Sequence, residues 1–185
     1  MLSEEFLCEL KRKTEENWRA RSINPTIYGF QFQPGTGWNP GLSNEQILAY
    51  ERAVGVTFPF DLKALFRVMN GTDLPTLNIY GGSGYPKRES VGVYVYPRDL
   101  EVVRKLILDA NENRGTLRAT LTNEGFDLVP TSKLMPIYAH RYVVCDGAES
   151  SAVLSIWDAK DAIVYGNSLQ EYLEREFLGI EWRPA

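Results

Sequence analysis

AHRYVVCDGAESSAVLSIWDAKDAIVY, residues 139–165, decides the fold class. Residues 139–145, 152–157 and 162–165 are short runs rich in Val, Ile, Leu and aromatic side chains, the composition of half-buried strands. Asp146-Gly147 and Asp158-Ala159-Lys160-Asp161 supply turn chemistry between them. Connections this short leave no room for a crossover helix, so the strands must follow one another as an antiparallel meander.

Helices surround that meander in sequence. Downstream, Ser168-Leu169-Gln170-Glu171 reads as a capping box opening a helix through Phe177, with Leu169, Tyr172, Leu173 and Phe177 inward. Far upstream, Ser43-Asn44-Glu45-Gln46 is another such box; Ile47, Tyr50 and Val54 form the apolar face and Gly55 the stop. Pro59 then suits a first helical turn, Leu62, Leu65, Phe66 and Met69 recur at helical spacing, and Asn70-Gly71 reads as a left-handed stop. Residues 3–20 predict a solvated helix laid on the body by a thin stripe of Phe6, Leu10 and Trp18. Residues 23–42 alternate Pro and Gly with aromatics and read as an ordered connector with one short strand. Strands are expected at 76–80 and 91–96, a helix from Pro97 to Asn111 and a short one at 116–123. Helices grouped apart from strands give an α+β class with a central, mainly antiparallel sheet flanked by helices. A length of 185 residues suits one globular domain: a helix and connector over 1–40, packed on a body over 41–185.

Composition excludes several functions. A net charge of -4 argues against non-specific binding to nucleic acid, and no direct nucleic-acid partner is expected. The first residues carry acids before any apolar stretch, and no run approaches a membrane span, so a cytoplasmic protein is expected. Cys8 and Cys145 read as reduced thiols. One histidine and two distant cysteines form no zinc pattern, and no calcium loop or nucleophile elbow occurs; no metal, cofactor or catalytic residue is expected. Gly81-Gly82-Ser83-Gly84 leads into Tyr85-Pro86-Lys87 rather than a GK[ST] helix start, so it reads as a hairpin loop and not a phosphate cradle. Cys145 and His140 lie about 17 Å apart on one strand and cannot form a catalytic pair.

Three constellations remain. Glu51 falls on the apolar face of its helix, either as a perturbed carboxylate in a pocket or as one bonded to backbone amides or an arginine. His140-Arg141-Tyr142 opens a strand; His140 or Arg141 is either a contact in a binding cleft, or Arg141 is a carboxylate's partner, with Glu51 a candidate. Tyr80, Tyr94, Tyr96 and Trp38 combine apolar area with a polar tip, which suits both sheet packing and an interface; Tyr94 and Tyr96 share a face by period two.

The order of these motifs resembles the SUKH (Smi–Knr) family. GLSNEQILAYERAVGVTFPFDLKALFRVMNG carries Ser43, Ile47, Glu51, Gly55, Phe58-Pro59, Asp61 and Asn70-Gly71 in the family's sequence. LMPIYAHRYVV and VLSIWDAKDAIVYGNSLQEYLEREF continue it through a strand around Pro136, one holding Ser155, and the last helix. The likeness covers roughly 41–177; residues before it and around 112–130 fall outside. It implies Glu51, Pro59, Asn70, Gly71 and Ser155 as structural positions and no catalytic residue. It implies a binding scaffold, best known as an immunity protein that blocks a cognate toxin of nuclease or deaminase type. Yeast relatives coordinate cell-wall signalling, so an adaptor without a toxin is the alternative. The remaining one is a hydrolase using Glu51 with His140 or Arg141. Partner contacts are expected at Trp38, Tyr80, Tyr94, Tyr96, His140 and Arg141.

Overall fold

Hydroxyl caps and left-handed glycines set the helix boundaries. In a computed structural model, which describes residues 2–27, 29–79, 88–90, 92–147 and 151–179, Ser3 Oγ accepts the Phe6 N–H at 3.1 Å and opens α1 (Glu4–Ala20). Leu7, Leu10, Thr14 and Trp18 follow one stripe of α1 and are buried. Trp18 is only 1% exposed, while Glu4, Glu5, Arg12, Lys13 and Glu16 on the other faces are exposed, so α1 is the expected solvated helix laid on the body by one deeply buried stripe. Sequence reading missed Leu7 because charged neighbours mask the stripe. The connector carries two short strands instead of one, β1 (Gly29–Gln31) and β2 (Trp38–Pro40).

Both halves of the expected box open α2 (Asn44–Val54): Gln46 N–H donates to Ser43 Oγ, and Ser43 N–H to Gln46 Oε1. Gly55 closes it at φ 67°. Pro59 precedes α3 (Phe60–Val68), which ends at an extended Met69. Asn70-Gly71 is therefore no helix stop; it lies inside β3 (Met69–Thr72). Asn70 Nδ2 donates to the Tyr96 carbonyl at 2.7 Å, and its Oδ1 accepts the Tyr96 N–H at 3.0 Å. One side chain thus substitutes for two ladder bonds. Gly71 has φ 69°, and a Cβ there would stand 2.5 Å from the Tyr94 carbonyl oxygen. Glycine is required by both the conformation and the close approach.

After β4 (Thr76–Ile79) and β5 (Arg88–Ser90), the strand expected at 91–96 shrinks to a single bridge, Val93 to Tyr138. Tyr94 N–H donates to the Ile137 carbonyl and Thr72 N–H to the Val93 carbonyl, so this segment joins β3 to the main sheet. The helix predicted from Pro97 begins later, as α4 (Leu100–Glu112), and α5 (Arg114–Asn123) follows it.

The four-stranded sheet is the expected meander: β6 (Lys133–Tyr138), β7 (Arg141–Cys145), β8 (Val153–Asp158) and β9 (Asp161–Gly166), each antiparallel to the next. His140 does not sit in a strand. Ala139 at φ 45° and His140 turn the chain between β6 and β7. In α6 (Leu169–Leu178), Ser168 Oγ accepts the Glu171 N–H, but the Glu171 carboxylate reaches the Asn167 N–H instead of the cap's own. Only half of that capping box forms.

The result is α+β, with a central antiparallel sheet between two helical layers. One face buries Met135, Ile137, Val143 and Val153 with residues of α1, α2, α3 and α6. The other buries Leu134, Tyr142, Val144, Leu154 and Ile156 under Ala110, Leu117 and Leu121 of α4 and α5. The segment 1–40 is joined to the body through α1 against α3 and α6, and through the Leu2 N–H on the buried Asp61 carboxylate at 2.7 Å.

Candidate partner-binding groove

The layer of α4 and α5 leaves one end of its sheet face uncovered. There the β8–β9 register shifts between Ile156 and Asp158, and such an irregularity re-aims a side chain. Trp157 stands out at 65% exposed. Its ring meets His140 edge-on, 5.4 Å between centroids at 84°. Phe30 of β1 lies 6.0 Å from the same imidazole. Two adjoining hollows result. One, of about 540 Å³, has Asp109, Asn113 and Thr116 on the helical side and Asp158 and Lys160 on the turn side. The other, of about 330 Å³, is aromatic, with Phe30, Tyr94, His140, Tyr142 and Trp157. Leu106, Tyr142, Ile156 and Trp157 line both, making one groove.

Electrostatics here follow from burial. Desolvation, helped by the Arg141 charge, brings the His140 pKa down to about 4, so its ring is neutral near pH 7. Burial pushes the Tyr142 hydroxyl up to about 12, with the Asp109 charge adding to it. Asp158 Oδ1 accepts the backbone N–H groups of Lys160 and Asp161, which fixes the turn.

Of the expected partner contacts, Tyr94 and His140 line this groove. Tyr94 is itself buried, its hydroxyl donating to the Ala139 carbonyl at 2.9 Å. Trp38 is inside the core at 7% exposed; its indole N–H donates to Thr14 Oγ1, and Phe177 lies 5.2 Å away. Tyr96 does not share a face with Tyr94, because the chain between them is not a strand; it stacks on Tyr50 at 4.4 Å. Tyr80 and the glycine loop 81–84 lie outside the described residues.

Arg141 points to the opposite, closed face. Its Nη1 donates to Ser155 Oγ at 2.8 Å, its Nε lies 3.5 Å from the Glu176 carboxylate, and its guanidinium sits 3.9 Å from the Tyr165 ring centre. The Arg175 guanidinium sits against the same ring at 4.1 Å. Glu176, not Glu51, is thus the carboxylate beside Arg141. Burial, then the nearby Glu176 charge, raises the Tyr172 hydroxyl beyond its ordinary range.

Glu51 accepts the Phe58 N–H at 2.7 Å and pairs with Lys63 at 2.9 Å. This is the backbone-bonded alternative, with a lysine where an arginine was the expected cation. Its charge is felt by Cys145, whose thiol burial pushes up to about 12. Cys145 is four residues along β7 from Arg141, about 13 Å at strand rise. Glu51 and Arg141 thus have separate partners near opposite ends of that strand, and the hydrolase constellation is not assembled. Pro59 is buried at the start of α3.

Sequence reasoning missed Trp157, Phe30, Leu106, Asp109 and Asp158 as groove residues. The available signal was Ile156-Trp157, two adjacent apolar residues at a strand end beside a polar turn, where alternation cannot bury both. Among the described residues, no group of three His, Cys, Asp or Glu side chains is placed to hold a metal ion, and no helix is long and apolar enough to cross a membrane. A scan against protein-family models finds no match to the chain, and a search of the curated proteins finds none either.

Proposed function

We propose that this chain is a non-catalytic protein-binding domain, and that its partner is a toxin of nuclease or deaminase type which it neutralises by occlusion. One observation carries the binding half. An indole exposed at 65% stands at the rim of a preformed groove with an aromatic floor. Exposed aromatics of this kind are where binding energy concentrates. The toxin half rests on the motif order of residues 41–177 and its resemblance to the SUKH family.

Co-expression with the toxin encoded by the adjacent gene tests both halves. The expected result is a stable complex, rescue of growth, and at least about 30-fold weaker binding by Trp157→Ala, the loss typical of a central tryptophan anchor. Absence of complex and rescue would overturn the toxin reading for that partner. A complex that Trp157→Ala leaves at full affinity would move the interface elsewhere. A neighbouring gene encoding no toxin, with a non-toxin protein bound through the same groove, would favour the adaptor role.

A further inference from the structure

Resting on the binding reading, we infer that the groove is built to take an arginine side chain of the partner, its guanidinium lying between the aromatic floor and the Asp109 carboxylate. Three independent features of the groove converge on that chemistry. The first is an unpartnered polar group. Tyr142 lines both hollows, and its hydroxyl, without a protein partner among the described residues, keeps access to the solvent of the groove. It is therefore free to accept a hydrogen bond from a ligand that displaces that water.

The second feature is charge. Asp109 is exposed at the groove's edge, and its carboxylate makes no ion pair or hydrogen bond among the described residues. Asp158 adds a second carboxylate, tied among the described residues only to backbone amides. Lys160 is the one cation lining the hollow; it is exposed on the turn, bonds neither acid, and leaves the groove net negative. His140 contributes no opposing charge, being held neutral by burial. An acidic side chain entering here would face two carboxylates. A purely apolar one would strip water from Asp109 with no compensation.

The third is shape. Trp157 and Tyr142 offer aromatic surface beside those carboxylates. A guanidinium is planar, stacks on such rings and donates in a fork, whereas an ammonium is a compact, strongly hydrated point charge. Arginine can therefore donate to Asp109 and to the Tyr142 oxygen while its plane covers the indole. Lysine can meet only part of that.

The test uses four tripeptides, acetyl-Gly-X-Gly-amide with X as Arg, Lys, Leu or Glu, titrated into the full chain. The readout is the Trp157 indole N–H signal by NMR, assigned with Trp157→Phe. Saturable millimolar binding is expected for Arg, at least about 10-fold weaker binding for Leu and Glu, and Lys between them. Asp109→Asn, an exposed and isosteric change, should weaken the Arg peptide about 5-fold or more, and Tyr142→Phe should weaken it too. Equal binding of Leu and Arg, binding of Arg indifferent to Asp109→Asn, or no binding by any peptide would each overturn the inference. None of those results bears on the co-expression experiment, so the arginine inference and the binding reading fail separately.

Discussion

The two faces of the β6–β9 sheet use the same kinds of side chain to opposite ends. On the closed face Trp18 stacks on Phe32 at 4.4 Å, Trp38 lies 5.4 Å from Trp18, and Phe177 closes the cluster. Several polar tips there are bonded within the protein, as in the Trp38 indole on Thr14 and Arg141 on Ser155, although the buried Tyr172 hydroxyl has no hydrogen-bond partner among the described residues. On the open face Tyr142 is buried beneath α4 and α5, but Trp157 beside it at the rim stands uncovered, with Phe30 lining the same hollow. Aromatic content therefore does not separate buried from exposed rings in this chain. What separates them is whether a neighbouring element arrives to cover the ring.

The largest expected difference is at the two tryptophans most unlike in exposure. Trp18→Ala removes a fully buried ring from the closed face and should cost about 3–5 kcal/mol in urea unfolding. A loss below about 1 kcal/mol would mean that α1 is not integral to the core. Arg141→Ala comes next. It strips the cation from Glu176 beneath Tyr138 and Tyr172, and should cost about 2 kcal/mol without changing partner affinity. A large affinity loss with intact stability would return Arg141 to the interface, where the sequence reading had it.

The strength of that reading varied with the range of the interactions involved. The meander, the Ser43 box and the Gly55 stop were legible because each is set by residues within a few positions of one another. Asn70-Gly71 misled because the same dipeptide that stops a helix also suits a chain crossing close to another backbone, here that of Val93 and Tyr94. Only the distant segment decides between them. Trp38 misled in the same way, since its cover comes from α1 and α6, more than twenty residues before it and far beyond it. The groove was half legible: His140 and Tyr94 were marked as residue types, but Trp157 needed the bulge in β8, a feature of pairing rather than of composition.

A smaller effect distinguishes the faces by pH. His140 is held neutral in the native chain down to about 4, whereas an unfolded histidine binds its proton near 6.5. Between those values the unfolded state binds more protons, so stability rises with pH and is lost as pH falls from about 6.5 toward 4. Because the ring is partly exposed, the loss should be only about 1 kcal/mol. Carboxylates also titrate in this range, so the measurement is the difference between the wild type and His140→Gln across the window. A flat difference would mean that water reaches the imidazole freely and the aromatic hollow is more open than its lining implies.

The smallest expected effect is the most diagnostic. Trp157→Ala removes a ring that is mostly in water and touches His140 by one edge. Its cost to folding should fall within about 0.5 kcal/mol, the range of ordinary surface changes. Tryptophan left in water at almost no benefit to stability is a residue whose benefit lies elsewhere. If thermal and urea unfolding instead put the loss above about 1.5 kcal/mol, Trp157 would be acting as a cover for Tyr142 and Ile156. The open face would then be a thinner version of the closed one, and the contrast on which the groove's assignment depends would collapse.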